Sequence, residues 1–307
     1  MCRATTQESK MSKETIGFIG LGLMGRAMVG CLQQAGHPVI ALGNRDRTGI
    51  EEAIARGATE AVTARELTEA ADIVMLCMGT SEHVEGRVYG EDGVLAGAKP
   101  GQVVIDFGTS LPASTQKIAA DLAAKGAAYL DAPLGRTPAH AEKGLLNIMC
   151  AGDEAAYKKV KPVLDTLGEN VFHLGKSGNG HTIKLINNFF AMTTASAMSE
   201  AFAMADAAGI ERSALYDVMA AGPNHSGMMD FIKNYAMKGQ IDLAFSVDNG
   251  AKDVGYYRQM ATDLGLHSRM STAADATLQE AKSSGDGEIM VPELVDWMGK
   301  NLGKDPK

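Results

Sequence analysis

The chain has 307 residues, with 29 basic against 37 acidic side chains and a net charge of −8. That balance argues against nucleic acid or an anionic membrane as a main partner, but it leaves room for a small anionic substrate in a locally positive pocket. No apolar run approaches the roughly 18 residues needed to span a bilayer, and the length suggests two domains at about 100–200 residues each.

Residues 1–14 are polar and lack the apolar centre of a signal peptide, so they read as a flexible tail in which Met11 is an alternative start. The four cysteines form no C-x-x-C pair and no disulfide framework. Cys31, Cys77 and Cys150 sit in apolar runs and read as small core residues, so no metal site is assigned. The chain reads as a reduced, soluble, cytoplasmic protein.

Next comes an apolar run, Ile16-Gly17-Phe18-Ile19, short enough for a buried strand. It leads into Gly20, Gly22 and Gly25, spaced G-x-G-x-x-G, and the pattern then turns helical through Met28, Leu32 and Ala35. In a dinucleotide-binding βαβ unit the first glycine allows the tight turn. The second lets a pyrophosphate approach the backbone, and the third lets helix and strand pack closely. The helix start offers its N–H groups and positive dipole end to the phosphates.

Gly36-His37-Pro38 then turns the chain into a second strand, Val39-Ile40-Ala41-Leu42. An acid at the end of that strand would bond the adenosine ribose, but the sequence here is Gly43-Asn44-Arg45-Asp46-Arg47-Thr48. A guanidinium matches a 2′-phosphate bidentately. Asn44 and Arg45 are therefore assigned to the cofactor and Arg47 to the solvated start of a helix. NADP is the preferred cofactor, with NAD the alternative should Asp46 reach the ribose.

Further strands are expected at 72–77, 103–106, 127–131, 145–150 and 171–174, alternating with helices. The pattern predicts an α/β fold with a Rossmann-type, doubly wound and mostly parallel sheet over residues 15–176. Ligands in such sheets lie beyond the carboxyl ends of the strands, which singles out residues 78–80, 107–110 and 132–137. Residues 177–307 form the second, all-helical domain. It opens with a long linking helix at about 180–208 that lacks glycine and proline from His181 to Ala208 and is apolar enough to be buried. Gly209 is placed to end that helix. Five further helices are expected at 211–221, 226–237, 248–264, 272–283 and 291–302.

Within the long helix, Lys184, Asn187 and Asn188 stand at i, i+3 and i+4 and share a face. One reading is a structural network tying the helix to its neighbours. The other makes Lys184 the proton donor when a carbonyl is reduced by hydride, with the asparagines holding substrate or lysine. Desolvation lowers a lysine pKa and suits it to that task.

The glycine stretch 17–25, followed by Gly36-His37, resembles the β-hydroxyacid dehydrogenase family, which includes 3-hydroxyisobutyrate dehydrogenases. The resemblance continues at Asp131-Ala132-Pro133, at Lys184-Leu185-Ile186-Asn187-Asn188 and at Lys252-Asp253, spanning residues 15–302 in the family's order. It implies reversible oxidation of 3-hydroxy acids and a homo-oligomer, dimer or tetramer, built through the helical part. It further implies Lys184 as catalytic residue with Asn188 supporting it, and Thr109 and Lys252 near the nicotinamide. Leu23 and Met24 would line the pyrophosphate loop and Met78 the adenosine-proximal ribose.

Where most members of the family carry Asp-x-Pro-Val-Ser-Gly-Gly, this chain reads Asp131-Ala132-Pro133-Leu134-Gly135-Arg136-Thr137. The Gly-Arg-Thr variant resembles 3-sulfolactaldehyde reductases, and a guanidinium with a neighbouring hydroxyl suits a tetrahedral anion. Gly135, Arg136 and Thr137 are thus assigned to a substrate acid, with an ordinary carboxylate as the alternative ligand. On that reading the enzyme reduces a short semialdehyde with a terminal acidic group, best matched by 3-sulfolactaldehyde. The alternatives are the 3-hydroxyisobutyrate, 4-hydroxybutyrate/succinic semialdehyde and tartronate semialdehyde reactions. A non-catalytic nucleotide-binding relative and an imine reductase rank below these, because Lys184 is present. His140 has no assigned role.

Overall fold

The structure is a computed structural model that describes residues 13–303. Most of the expected N-terminal tail, the Met11 start, Cys2 and the last four residues lie outside it. The chain divides into two compact units. One contains the residues up to Gly108 together with Ser114–Ser177, and the other contains Thr109–Ala113 and the residues from Gly178 onward.

The first unit follows the βα alternation. In order it runs β1 (Ile16–Ile19), α1 (Leu23–Gln34), β2 (Val39–Leu42), α2 (Thr48–Ala55), β3 (Thr59–Ala61), α3 (Ala64–Ala70) and β4 (Ile73–Leu76). It continues through α4 (Ser81–Tyr89), α5 (Val94–Gly97), β5 (Val103–Asp106), α6 (Pro112–Ala123) and β6 (Ala128–Asp131). Six strands form one parallel sheet in the order β3-β2-β1-β4-β5-β6. Strands buried on both faces need continuous apolar runs, and β1, β4 and β5 are buried at every position. Alternate residues feed two cores. Phe18, Met75 and Ile105 pack with Met28 and Leu32 of α1 and Ile50 of α2. Val74, Leu76 and Val104 pack with Leu67 of α3, Val84 of α4 and Ile118 of α6. The chain reverses its direction of winding between β3 and β4, so the switch point falls between β1 and β4.

The parallel sheet ends sooner than the sequence pattern predicts. After β6, Ala132-Pro133 leads into β7 (Leu134–Gly135), then α7 (Pro138–Ala141), β8 (Leu146–Cys150), α8 (Glu154–Leu164) and β9 (Gly168–His173). These last strands form a separate sheet, β7-β8-β9, in which β7 and β8 are antiparallel. Proline has no N–H to donate to a ladder, and at Pro133 the chain leaves the sheet. β3, which the sequence reading omitted, is a three-residue edge strand with two exposed positions, too short and too polar to show a period.

The second unit is helical. It comprises α9 (Asn179–Ala207), α10 (Arg212–Ala220), α11 (Gly227–Lys238), α12 (Val247–Asp263), α13 (Arg269–Ala281) and α14 (Leu294–Asn301), with a π turn at Lys282–Asp286 and a 3₁₀ turn at Val291–Glu293. α9 ends as its sequence dictates. Gly209 takes φ +70°, its N–H bonds Asp206 O, and Ile210 N–H bonds Ala205 O, which together form a Schellman motif. Met192, Met198 and Phe202 of α9 form the core with Ile232, Val254, Leu278 and Leu294. The helix is not buried all round as its composition suggested. The other helices pack along one side, and Ile186, Phe190 and Met204 are exposed.

Candidate active site

Each glycine of the loop after β1 has a separate structural reason. Gly20 takes φ +102°, and a Cβ there would stand 2.2 Å from Cys77 O, so the turn is pressed against the end of β4. A Cβ on Gly25 would stand 1.9 Å from Gly20 O, so the start of α1 lies directly on the turn. Gly22, the N-cap of α1, is different: a Cβ there would meet no atom within 4 Å. Packing does not demand glycine at position 22, whereas close approach of a ligand to the backbone does. The α1 N-terminus has no side-chain cap and no acid in its first turn, so its N–H groups and dipole are uncompensated. Leu23 is exposed beside them and Met24 is half-buried. These features fit a pyrophosphate.

Met78 sits at the end of β4, its sulfur 3.2 Å from where a Gly20 Cβ would be. At the end of β2, Asn44 and Arg45 are exposed. Asp46 turns its carboxylate onto Thr48 N–H at 2.9 Å, at the start of α2. At the end of β5, Asp106, which the motif reading passed over, is fully buried. It accepts Gly108 N–H at 2.8 Å and the Tyr129 hydroxyl at 3.2 Å. Burial, with the Asp106 charge next, pushes the neighbouring Cys77 thiol up to about 12, so this cysteine is inert at neutral pH.

Gly135, Arg136 and Thr137 lie where β7 gives way to α7. Arg136 is the non-glycine residue with positive φ among the described residues, at +77°, a conformation that costs an L-residue about 1–2 kcal/mol. The structure does not present its guanidinium as an open fork. Nη1 donates to Leu145 O at 2.8 Å and pairs with Glu169 of β9 at 2.5 Å. The Thr137 hydroxyl is also engaged, 2.8 Å from His140 Nδ1. His140 stands three residues from Thr137 and was near the loop in sequence without a role, whereas Glu169 lay outside any motif and only the fold brings it here.

The second unit gathers a polar cluster where α9 packs on α12. Asn188 is buried and donates to Asp253 Oδ2 at 2.6 Å, while Asn187 donates to Asn188 Oδ1 at 3.2 Å. Asp253 is buried, with Lys252 Nζ 2.9 Å from its Oδ1. Lys184 is half-buried. Desolvation of its ammonium is the largest influence and, helped by Lys252, holds its pKa below the ordinary lysine value against the opposing pull of Asp253. The spacing of Lys184, Asn187 and Asn188 was legible in sequence and Lys252-Asp253 entered with the resemblance, but the pairing of Asp253 with Asn188 was not. Thr109 is a half-buried residue of the same unit. Among the described residues no group of His, Cys, Asp and Glu is arranged to hold a metal ion, and no helix is long and apolar enough to cross a membrane.

A glycine turn pressed on the switch point of a parallel sheet, followed by an uncapped helix, defines a dinucleotide-binding protein. Residues 15–175 match the family model described as the NAD binding domain of 6-phosphogluconate dehydrogenase. Residues 178–296 match the one described as NAD-binding of NADP-dependent 3-hydroxyisobutyrate dehydrogenase. The chain belongs to the β-hydroxyacid dehydrogenase family of NAD(P)-dependent oxidoreductases. It is 36% identical to the NAD-dependent L-serine dehydrogenase of Pseudomonas aeruginosa over 80% of this chain and 85% of that one. It is 29% identical to the 3-sulfolactaldehyde reductase of Escherichia coli over 95% and 98%. A crystal structure of 3-hydroxyisobutyrate dehydrogenase from Salmonella typhimurium superposes with a TM-score of 0.81 at 28% identity, covering 92% of this chain and 99% of that one.

Proposed function

We propose that this enzyme interconverts a short semialdehyde bearing a terminal acidic group and the corresponding 3-hydroxy acid, with NADPH preferred over NADH. The observation that carries the reading is Lys184, desolvated beside Asp253 and Asn188. A reduced nicotinamide, when bound, supplies the hydride. Lys184 Nζ gives its proton to the carbonyl oxygen in reduction and takes it back in oxidation. Desolvation lowers its pKa from the ordinary lysine value and so eases release of that proton. Asn188, fixed by Asp253, positions the lysine, and Asn187 holds the substrate. Thr109 and Lys252 are assigned to the nicotinamide end of the cofactor.

Gly20, Gly22, Leu23, Met24 and Gly25 bind the pyrophosphate, Met78 the adenosine-proximal ribose, and Asn44 and Arg45 the 2′-phosphate. Gly135, Arg136 and Thr137 recognise the substrate acid, and the best match is a sulfonate, as in 3-sulfolactaldehyde. A guanidinium has five donors, so Arg136 keeps donors for a substrate while Nη1 holds Leu145 and Glu169. The Glu169 pairing also favours a second reading, a carboxylate semialdehyde, because it commits part of the guanidinium and a carboxylate has two oxygens to satisfy where a sulfonate has three. The exposed apolar residues Ile186, Phe190 and Met204 of α9 support a homodimer or homotetramer, and the free buried thiols Cys31 and Cys150 suit the cytoplasm.

The test is a steady-state panel of 3-sulfolactaldehyde, succinic, methylmalonate and tartronate semialdehydes with each dinucleotide. The reading expects the highest kcat/KM with 3-sulfolactaldehyde and NADPH. Turnover of none of the four would reject it.

A further inference from the structure

The end of β2 holds an ion pair that no motif reveals. Glu60 stands on β3, opposite Ala41 in the parallel register. It grips Arg47 at two points, with Nη1 donating to Oε1 at 2.6 Å and Nη2 to Oε2 at 2.9 Å. The pair lies directly against Gly43. A Cβ at that position would stand 2.3 Å from Glu60 Oε1 and 2.6 Å from Arg47 Nη1. Gly43 does not have positive φ, so the backbone would accept a side chain there, and the groups it would displace are the ends of the Glu60 and Arg47 side chains. Strand β2 ends without an acid, and β3 supplies one at the same place.

The flanking groups behave differently. Asp46 is tied to Thr48 N–H. Arg45 is exposed and makes no hydrogen bond or ion pair among the described residues. The geometry points to Glu60 as a specificity-determining residue for the dinucleotide. Its carboxylate neutralises Arg47, leaves Arg45 to meet a 2′-phosphate, and offers its remaining lone pairs to the hydroxyls of an unphosphorylated ribose. The inference rests on assigning the end of β2 to the adenosine ribose. Discrimination is then a difference between two opposed terms, attraction of the phosphate by Arg45 and repulsion by Glu60. The two-point hydrogen bond holds Glu60 below the usual carboxylate range and Arg47 above the usual guanidinium value, so both stay charged at neutral pH.

The experiment measures the equilibrium Kd of NADPH and NADH by fluorescence titration at low salt for the wild type, Glu60→Gln and Arg45→Ala, which requires no substrate. The amide is isosteric, and the site is at the surface, so folding is unaffected. The ratio Kd(NADH)/Kd(NADPH) is expected to rise about five-fold in Glu60→Gln, the size of one exposed charge interaction, and to fall in Arg45→Ala. A ratio unchanged by Glu60→Gln overturns the inference. If Arg45→Ala still lowers the ratio, the failure belongs to Glu60 alone. If Arg45→Ala is also silent, the assignment of the β2 end falls, and the inference with it.

Discussion

Replacing Asp253 by asparagine removes one charge from the cluster on α9 and α12 while leaving an oxygen to accept from Asn188 Nδ2, now 2.6 Å from Oδ2. Asp253 is the group that holds the Lys184 pKa up against desolvation and Lys252. Loss of that opposite charge lowers a lysine pKa, and Lys252, no longer paired with a carboxylate at 2.9 Å, acts in the same direction. The Lys184 pKa is therefore expected to fall further below the ordinary lysine value. Reduction requires the protonated lysine and fails as pH rises through its pKa, so the alkaline limb of the pH–kcat profile for aldehyde reduction should move to lower pH. Oxidation requires the neutral lysine, so its acid limb should move to lower pH as well. The assay is the kcat profile in both directions, with a thermal melt to confirm folding. Limbs that coincide with the wild type in a folded Asp253→Asn protein would refute the coupling of Lys184 to Asp253.

Other substitutions separate packing from ligand contact. Gly25→Ala drives a Cβ into Gly20 O and should lower stability by about 3 kcal/mol, read as a fall in Tm. Gly22→Ala meets nothing within 4 Å and should melt like the wild type while weakening both dinucleotides at least about ten-fold; unchanged binding would remove Gly22 from the pyrophosphate site. Arg136→Gly relieves the +77° backbone but loses the contacts to Glu169 and Leu145, terms of about 1 kcal/mol each that nearly cancel in Tm. KM for the acidic aldehyde should nonetheless rise at least about ten-fold; an unchanged KM would make Arg136 a strut between the turn after β7 and strand β9. Because folding lowers the Lys184 pKa, the unfolded chain binds that proton more tightly. The contribution of this group to stability therefore grows as pH rises from the folded value toward the ordinary one. Denaturant titrations of the wild type against Lys184→Met should show that extra slope in the wild type only.

The parts of the fold with strong periodicity were legible from the residues. β1, β4 and β5 are buried at every position and read as unbroken apolar runs, and α9 with its Gly209 stop reads at both ends. What was lost lies where tertiary partners decide. β3 is a three-residue edge strand containing a glutamate, and no local pattern marks it, yet it carries Glu60 to the end of β2. The strands β8 and β9 look like continuations of the parallel sheet, but Pro133 sends the chain into a second sheet. In the candidate site, one-turn spacing exposed Lys184, Asn187 and Asn188. The carboxylate that fixes them lies 65 residues from Asn188 on another helix. Arg136 was legible as a guanidinium beyond the carboxyl end of β6, but its engagement with Glu169 depends on the pairing of β7, β8 and β9.

Transfer of the proton by Lys184 is tested most directly by replacing it with methionine, which keeps an unbranched side chain as far as Cε and removes the amine. Hydride transfer from NADPH to the best semialdehyde of the panel, followed by stopped-flow absorbance, should slow by about 10³-fold in Lys184→Met, while the Kd for NADPH stays within about two-fold of the wild type. Transfer within about ten-fold of the wild-type rate would contradict the account.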